Sequence, residues 1–267
     1  MNIDIAKVIR DKNERLYRRL PRFAIKSLAR LIRQDDINDV LARFGHLSGV
    51  DFVTAVLDDF GIERTVTGLD NIDPDGRYIF AANHPLGGLD AFVLAEAVAG
   101  RMGDVRLVVN DVLMKLEPLS PIFVPVNKYG CQNQEYMAAY NGLFASDLPV
   151  IYFPAGLCSR RNGGVISDLD WKKNFVQKAV ESGRDIVPVF VDAVNSPRFY
   201  RAASLRKALG IPVNLELVLL PDELFRKRGS AIGLRFGEPV SCGSLRGGRH
   251  ALEEAAELKK MCYDLRV

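Results

Sequence analysis

Apolar side chains recur at helical spacing through the first 60 residues. Within residues 1–33, Ile, Val, Leu and Phe follow one another every three or four positions among basic residues, which is the pattern of an amphipathic helix. Pro21 is expected to start or kink a helix in this stretch. Further helices are predicted over Asp35–Arg43 and Val50–Phe60. The pattern therefore predicts a helical N-terminal segment over residues 1–60.

From residue 61 onward, short β-branched or apolar runs alternate with helical patterns. The predicted strands are Tyr78–Ala82, Val105–Val109, Ile122–Val126, Val150–Phe153, Ile186–Val191, Asn214–Leu220 and Ala231–Phe236. Helical patterns fall at about 90–100, 132–145, 170–182, 198–209 and 250–264. Strands separated by helices predict an α/β fold, in which helices flank a mostly parallel central sheet. The chain thus divides into a helical segment, 1–60, and an α/β domain, 61–267.

Composition adds little until the charges are mapped. The 267 residues are 48% hydrophobic and 26% charged, which is ordinary for a globular protein and excludes a disordered, collagen-like or disulfide-rich chain. The net charge is +3. Residues 1–33, here called the basic arm, hold ten basic and three acidic side chains, whereas the remaining chain is net acidic. A nearly neutral whole therefore combines a cationic arm with a mildly acidic body.

Cysteine usage and the lengths of the apolar runs bear on compartment and topology. The four cysteines are widely spaced and form no C-x-x-C pair, so reduced, mostly buried thiols are predicted, as suits a cytosolic protein. The N-terminus lacks the apolar core of a signal peptide. The longest apolar runs, near Leu148–Leu157 and Ile186–Val194, are shorter than the roughly 20 residues of a membrane span, so no transmembrane helix is expected.

The first candidate for chemistry is His84, which follows a predicted strand and precedes a turn that contains Gly87 and Gly88. Ligand sites of α/β folds lie beyond the carboxyl ends of strands. Asp90 falls near the start of the next helix, and because the chain folds back over the intervening turn we expect it to reach the imidazole. A carboxylate on one ring nitrogen leaves the other free to act as a base. The alternative is a turn histidine followed by an N-capping aspartate.

The second candidate is the segment Tyr152–Arg161, which also follows a predicted strand. Pro154 and Gly156 shape a loop whose backbone can approach a ligand closely. Arg160 and Arg161 end the segment with two guanidinium groups, which suit phosphate or carboxylate. The alternative is a surface turn with solvated arginines.

Together these motifs resemble the glycerolipid acyltransferase family, the lysophospholipid or 1-acylglycerol-3-phosphate acyltransferases. That family has an Asn-His-x4-Asp block after a strand and a Phe-Pro-Glu-Gly-Thr-Arg-Ser block further along the chain. The residues that resemble these blocks are Asn83, His84 and Asp90 in the first, and Phe153, Pro154, Gly156, Ser159 and Arg160 in the second. Ile186–Phe190 resembles the later Val-Pro block, so the resemblance covers roughly residues 65–240.

Three departures from the family pattern stand out. Five residues, not four, separate His84 from Asp90, a form that resembles a hemolysin-like bacterial subgroup with acyltransferases of amino-acid lipids. Ala155 replaces the usual glutamate, which removes a polar contact to the acceptor. Lys128 is a candidate substitute for the arginine of the family's middle block. The departures put recognition of a glycerol-3-phosphate head group in question more than acyl transfer itself.

The resemblance implies transfer of a fatty acyl group from a thioester of acyl carrier protein or coenzyme A, with no metal or cofactor. His84 is the expected general base, Asp90 orients it, and backbone N–H groups of the Gly156 loop hold the oxyanion. The expected substrate-binding residues are Asn83, Gly87, Gly88, Lys128, Phe153, Pro154, Gly156, Ser159, Arg160 and Arg161.

Several alternatives remain open at this point. The acceptor is expected to be a lyso-glycerophospholipid or a lyso-amino-acid lipid, and the altered second block favours the latter. A non-catalytic lipid-binding protein on the same scaffold is the main alternative, although the presence of both His84 and Asp90 argues against it. Membrane lysis is disfavoured by the short apolar runs, and nucleic-acid binding by the acidic body and the lack of a motif.

The basic arm suggests a location. Cationic helices with interleaved apolar residues are typical of interfacial anchors on anionic lipid, and a lyso-lipid acceptor is delivered from such a surface. An acidic acyl carrier protein would dock on the same charge. The alternative is the solvated face of a helix packed on the body. The expectation is a peripheral protein at the cytoplasmic face of a membrane.

Overall fold

The computed structural model describes residues 2–126 and 134–266. The described strands are β1 (Glu63–Thr67), β2 (Tyr78–Ala82), β3 (Arg106–Asn110), β4 (Phe123–Val126), β5 (Val150–Tyr152), β6 (Arg160–Asn162), β7 (Val165–Ser167), β8 (Asp185–Asp192) and β9 (Ala231–Phe236). The described helices are α1 (Ile5–Lys12), α2 (Glu14–Arg19), α3 (Arg22–Leu31), α4 (Gln34–Phe44), α5 (Gly49–Asp59), α6 (Gly88–Met102), α7 (Gln134–Ala145), α8 (Asn174–Ser182), α9 (Pro197–Ala208), α10 (Leu220–Arg226) and α11 (Ala251–Asp264).

Seven of these strands form one sheet in the order β1-β9-β8-β2-β5-β3-β4. All neighbouring pairs are parallel except β8 and β9, which run antiparallel. Side chains of β2 alternate between two buried clusters, because successive residues of a strand point to opposite faces. Residues of α5 and α6 belong to one cluster, and residues of α8 and α11 to the other. The predicted α/β fold with a mostly parallel, helix-covered sheet is therefore confirmed.

The position of Pro188 inside β8 explains how a central strand tolerates proline. Its carbonyl still accepts a hydrogen bond from the backbone N–H of Gly237 at 2.9 Å. The registered pairing with β9 begins one residue after Pro188, at Val189. Two residues before Pro188, Ile186 forms an isolated bridge with Val240, a residue that follows β9. The donor that proline lacks therefore falls at a break in the ladder rather than within it.

One strand prediction is wrong. Asn214–Leu220 is not a strand: Leu215–Leu219 forms a 3-10 helix that continues into α10. Short apolar runs fit strands and buried helices equally well by pattern alone. The sequence pattern also failed to indicate β1, which is a mostly polar strand at the sheet edge, and the β6–β7 hairpin. That hairpin turns through Gly163 and Gly164, both with positive φ, as a two-residue type I′ turn requires.

The N-terminal helices divide into two groups. Helices α4 and α5 pack into the main core, where Val53 and Leu57 are fully buried. Helix α3 buries no residue, and Phe23 on it is 73% exposed. Hydrogen bonds from the backbone of Ile3 and Ile5 to side chains of α4 attach the start of the chain to the body. Residues of α5 and α6 share one apolar cluster, so packing does not separate the two sides of residue 60. The domain boundary there stays a prediction.

The residues that the structure describes also bear on membrane spans and on the state of the thiols. Among them, no helix is both long enough and apolar enough to cross a membrane. Cys158 and Cys262 are buried free thiols, and Cys242 is a half-buried one.

Candidate active site

His84 lies two residues beyond the end of β2, at the centre of the sheet. The chain then turns sharply and enters α6 at Gly88. Gly87 adopts a φ of 94°, which L side chains rarely adopt, and a Cβ atom there would lie 3.3 Å from the Sγ atom of Cys158. Glycine is therefore required for the turn that folds the start of α6 back toward the imidazole.

Asp90 is the third residue of α6 and is fully buried. Its Oδ2 atom accepts hydrogen bonds from the backbone N–H groups of Leu86 at 2.8 Å and Gly87 at 3.1 Å, and Oδ1 accepts one from Ala91 at 2.8 Å. Asp90 is not the N-cap that one alternative predicted: Gly87 holds that position, and Asp90 acts from within the first turn. The same Oδ2 atom lies 3.1 Å from Nδ1 of His84.

Two opposing influences act on the imidazole. Burial lowers the pKa of His84, whereas the charge of Asp90, its contact with Nδ1 and the charge of Asp168 raise it, and the balance leaves the pKa above its ordinary value. The side chain of His84 remains 17% exposed, while that of Asp90 is inaccessible. A histidine held by a carboxylate through Nδ1 presents its other ring nitrogen for proton transfer.

The second motif meets the first beside the imidazole. The ring of Phe153, just beyond the end of β5, stacks on His84 with centroids 4.2 Å apart. The backbone N–H of Ser159 donates to the carbonyl of His84 at 2.8 Å. The two motifs therefore come together because β2 and β5 are adjacent parallel strands that end at the same edge.

Asp168 joins the two motifs, although no pattern in the sequence indicates it. Its Oδ1 atom accepts from the backbone N–H of His84 at 3.1 Å and from the hydroxyl of Ser159 at 2.6 Å, while Oδ2 accepts from the indole of Trp171 at 3.0 Å. Burial raises the pKa of Asp168, and the hydrogen bonds from Ser159 and Trp171 oppose that rise. A single aspartate 84 residues from its partner leaves no local pattern in a sequence.

Arg160 does not face an open site. It is buried, and one terminal nitrogen lies 2.9 Å from Oε1 of Glu216, a carboxylate that is itself inaccessible. Its other terminal nitrogen donates to the carbonyl of Cys158 at 2.6 Å. Arg161, one residue later, is exposed on β6. The two arginines therefore point to different environments, and the buried one already has an anionic partner.

Other predicted site residues also belong to the framework. The side-chain amide of Asn83 donates to the carbonyl of Val191 and accepts from its N–H, so it links the ends of β2 and β8. The N–H of Gly156, expected near the oxyanion, donates instead to the carbonyl of Phe153 at 3.0 Å. Ala155, in place of the family glutamate, is buried in an apolar cluster. Lys128 lies outside the described residues.

A cavity of about 880 Å³ opens beside the imidazole. The predicted site residues that line it are His84, Gly87, Gly88, Phe153, Pro154 and Gly156. Apolar side chains of α4, α5 and α6 line one part, among them Val40, Phe52 and Phe92. Polar side chains at and near α8 line another part, including Lys172 and Gln177. The volume falls within the range of about 300–1,000 Å³ that holds small organic ligands.

Cys158 also lines the cavity but is poorly suited to act as a nucleophile. Burial raises the pKa of its thiol well above the ordinary range, with the charge of Asp90 acting in the same direction. A buried thiol that stays protonated is unreactive. Within residues 2–126 and 134–266, no group of three or more His, Cys, Asp or Glu side chains is arranged to hold a metal ion.

Fold and site together define an α/β enzyme whose histidine–carboxylate pair borders a large, mostly apolar cavity. The family model described as acyltransferase matches residues 7–267. The chain belongs to this acyltransferase family, which confirms the family and the enzyme class predicted from the two motifs.

Two relatives match over nearly the whole chain. The lyso-glycine lipid O-acyltransferase of Phocaeicola vulgatus is 38% identical over 264 residues, which is 98% of this chain and 95% of that protein. The lyso-glycine lipid O-acyltransferase of Bacteroides thetaiotaomicron is 39% identical over 265 residues, or 98% and 97% of the two chains. Among solved structures, the 1-acyl-sn-glycerophosphate acyltransferase PlsC from Thermotoga maritima is 18% identical, with a TM-score of 0.49 over 92% of this chain and 93% of that one.

Proposed function

We propose that this acyltransferase moves a fatty acyl group from an acyl carrier protein or coenzyme A thioester to the hydroxyl of a lyso-amino-acid lipid. The observation that carries the proposal is the contact of 3.1 Å between Nδ1 of His84 and Oδ2 of Asp90 at the border of the cavity. This contact favours the tautomer with the proton on Nδ1, and the second nitrogen then serves as the base.

The reaction follows from that arrangement. The free nitrogen of His84 takes the proton of the acceptor hydroxyl as its oxygen attacks the thioester carbonyl. The carbon–sulfur bond then breaks, and the proton passes from the imidazolium to the departing thiolate. Asp90 keeps the imidazole in orientation and stabilises the imidazolium, without taking the proton itself. The products are the acylated lipid and the free thiol of the donor.

The cavity suits substrates that are partly apolar and partly polar. Its apolar part, bordered by Val40, Phe52 and Phe92, offers a place for an acyl chain. Burying a methylene group there contributes about 0.8 kcal/mol, so chain length strongly affects binding. The polar part near α8 suits a head group. The raised pKa of His84 means that the base form grows as the pH increases through a value above the usual 6.5 or so.

Two observations favour an amino-acid lipid over a glycerophospholipid as acceptor. The guanidinium of Arg160, the arginine of the second motif, is buried against Glu216 and so is not available to a phosphate. The two relatives are named as acyltransferases of lyso-glycine lipid, and they align with almost the entire chain. The acceptor proposed here is accordingly a lipid whose polar group is an amino acid.

The activity test uses purified protein, acyl carrier protein and coenzyme A thioesters, and a panel of lyso-lipids, with products identified by mass spectrometry. His84→Ala is expected to reduce acyl transfer about 10²- to 10⁴-fold, because it removes the general base. His46→Ala is the matched control, since His46 is exposed and does not line the cavity. If the His84 variant transfers acyl groups at nearly the wild-type rate, the mechanism is wrong. A wild-type protein that binds these lipids without acylating them would indicate the non-catalytic alternative.

We also propose that the basic arm holds the enzyme at an anionic membrane surface. Exposed basic residues of α2 and α3 alternate with apolar ones such as Phe23, a composition that suits the lipid interface. Among the described residues, no carboxylate lies within ion-pair distance of Arg19, Arg22 or Lys26. Their charge is therefore available to lipid phosphates.

The membrane proposal is tested in the full-length chain. Replacing Arg19, Arg22 and Lys26 with Gln should weaken binding to vesicles that contain phosphatidylglycerol, by about fivefold per charge at low salt. Added salt should weaken wild-type binding as well. Replacing Lys115, Arg249 and Lys260 removes the same charge from the body and serves as the control. Equal effects of the two triple variants, or binding that ignores salt, would contradict the proposal.

A further inference from the structure

Lys172 occupies a defined place in the polar part of the cavity. Its backbone N–H donates to the carbonyl of Pro154 at 3.1 Å, which fixes the residue against the loop that follows β5. Its Nζ atom lies 3.6 Å from the position that a Cβ atom on Gly156 would occupy, so the side chain extends over that loop. Phe153, at the start of the same loop, stacks on His84. The ammonium group and the imidazole therefore border the same cavity, each next to this short loop.

Two other cations near the cavity have anionic partners. Arg160 lies against Glu216, and Lys178, which also lines the cavity, has its Nζ atom 2.8 Å from Oε2 of Glu181. In the part of the chain that the structure describes, no carboxylate lies within ion-pair distance of Lys172. Lys172 is thus a cavity cation whose charge is not already matched within the described protein.

We infer that Lys172 binds the carboxylate of the acceptor's amino-acid head group and so sets the enzyme's specificity for that class of lipid. The inference rests on the proposed function. An amino acid that carries its acyl chain on nitrogen keeps a free carboxylate. This group is the only full charge on such an acceptor at neutral pH when its side chain is neutral, as in glycine. An ammonium group gives a strong, charge-assisted hydrogen bond to it.

The same ammonium group would also suit the phosphates of the donor, in coenzyme A or in the phosphopantetheine arm of acyl carrier protein. Binding of the acceptor carboxylate and binding of the donor phosphates predict different kinetics for a Lys172 variant. If Lys172 serves the acceptor, its removal raises the KM for the acceptor and leaves the KM for the donor unchanged. If it serves the donor, the reverse holds.

The experiment compares Lys172→Gln with wild type on two acceptors, an N-(hydroxyacyl)glycine and the corresponding glycinamide, which lacks the charge. The KM for the glycine acceptor is expected to rise about 10- to 100-fold, with kcat nearly unchanged, as for loss of one hydrogen bond between charged groups. The KM for the glycinamide acceptor should stay the same. Lys172→Arg, which keeps the charge, should restore most of the binding.

Lys173→Gln is the matched control, since both lysines are exposed but Lys173, unlike Lys172, does not line the cavity. It should behave as wild type with both acceptors. Equal losses on the two acceptors, or a higher KM for the donor, would overturn the inference alone. A wild-type enzyme that acylates neither acceptor would instead overturn the proposed function, and the inference with it.

Discussion

The turn after β2 and the segment after β5 each place a basic side chain against a buried carboxylate. Only the side chain in the turn also borders the cavity. In the turn, Asp90 contacts one nitrogen of His84 and leaves the ring bordering the cavity. Where that segment enters β6, Glu216 contacts Arg160, and the pair lies within the protein, with 9% of the arginine side chain exposed. The first pair is therefore placed to act on a substrate, whereas the second is placed to hold the structure.

This difference shows that the partner of a motif residue decides what the residue can do. A histidine needs only one of its nitrogens for orientation, so a buried carboxylate leaves it reactive. An arginine that forms a buried ion pair with a carboxylate of the same protein is not available to bind an anionic ligand. The loop after β5 contributes to the site in another way, through the stacking of Phe153 and the backbone bond from Ser159 to His84.

The largest expected effect concerns the first pair. Asp90→Asn should lower kcat about 10⁴-fold, as in other histidine–aspartate sites, because an amide does not stabilise the imidazolium or hold the required tautomer. The pH profile should change as well. As the proposed base, His84 must be neutral, so activity should rise with pH through its raised pKa, and loss of the Asp90 charge should move that inflection to lower pH. The measurement is kcat/KM between pH 5 and 9.

The control for this prediction is Asp70→Asn, since Asp70 is an exposed aspartate that does not line the cavity. Circular dichroism checks that the Asp90 variant keeps its fold, because Asp90 also accepts three backbone hydrogen bonds. A folded variant with a wild-type rate, or with the same pH inflection, would show that Asp90 only supports the helix.

The second pair should affect stability rather than chemistry. Glu216→Gln leaves Arg160 with an uncompensated buried charge and also removes the partner of Arg206, whose Nε atom lies 2.9 Å from Oε2 of Glu216. Breaking a buried pair by removing one partner costs about 3–5 kcal/mol, so the free energy of unfolding should fall by that order in urea titrations. The KM for the acceptor should stay within about twofold of wild type at temperatures where the variant is folded.

Glu253→Gln provides the comparison, because the Glu253 side chain is 66% exposed and its ion pair with Arg246 is a surface contact worth little. If the Glu216 variant instead binds its acceptor several-fold more tightly or more weakly, Arg160 contacts the head group. The distinction drawn between the two pairs would then be wrong.

The first pair could be predicted from the sequence because its geometry is local. His84 and Asp90 are separated by one turn and the start of one helix, and both elements have clear signals in glycine and in helical periodicity. The sheet was predictable for a similar reason: β2 and β9 are apolar or alternating runs with bounds that match the predicted strands. Local patterns therefore account for the His84–Asp90 pair and most of the scaffold.

The partners of the second motif could not be predicted in this way. Glu216 lies 56 residues beyond Arg160, in a segment whose apolar run suggests a strand and which forms a 3-10 helix. Asp168 meets His84 across 84 residues. No periodicity encodes such contacts, since they depend on which elements pack together in the folded chain. Without them, a buried arginine and an exposed one look alike in sequence.

The smallest expected effect concerns Asp168, which connects the two regions. Asp168→Asn replaces one acceptor oxygen with a donor, although three N–H or O–H groups point at this carboxylate, from His84, Ser159 and Trp171. An unsatisfied buried donor costs about 1–3 kcal/mol, so the free energy of unfolding should fall by about that amount. If Asp168 positions His84, kcat should fall about tenfold while the KM for the acceptor stays unchanged. The pH inflection should also move slightly lower, because a negative charge near the imidazole is lost.

Asp170→Asn, at a fully exposed neighbouring site, is the control. A loss of stability with no change in kcat or pH profile would mean that Asp168 holds the loop without adjusting the base, and that the two regions act independently.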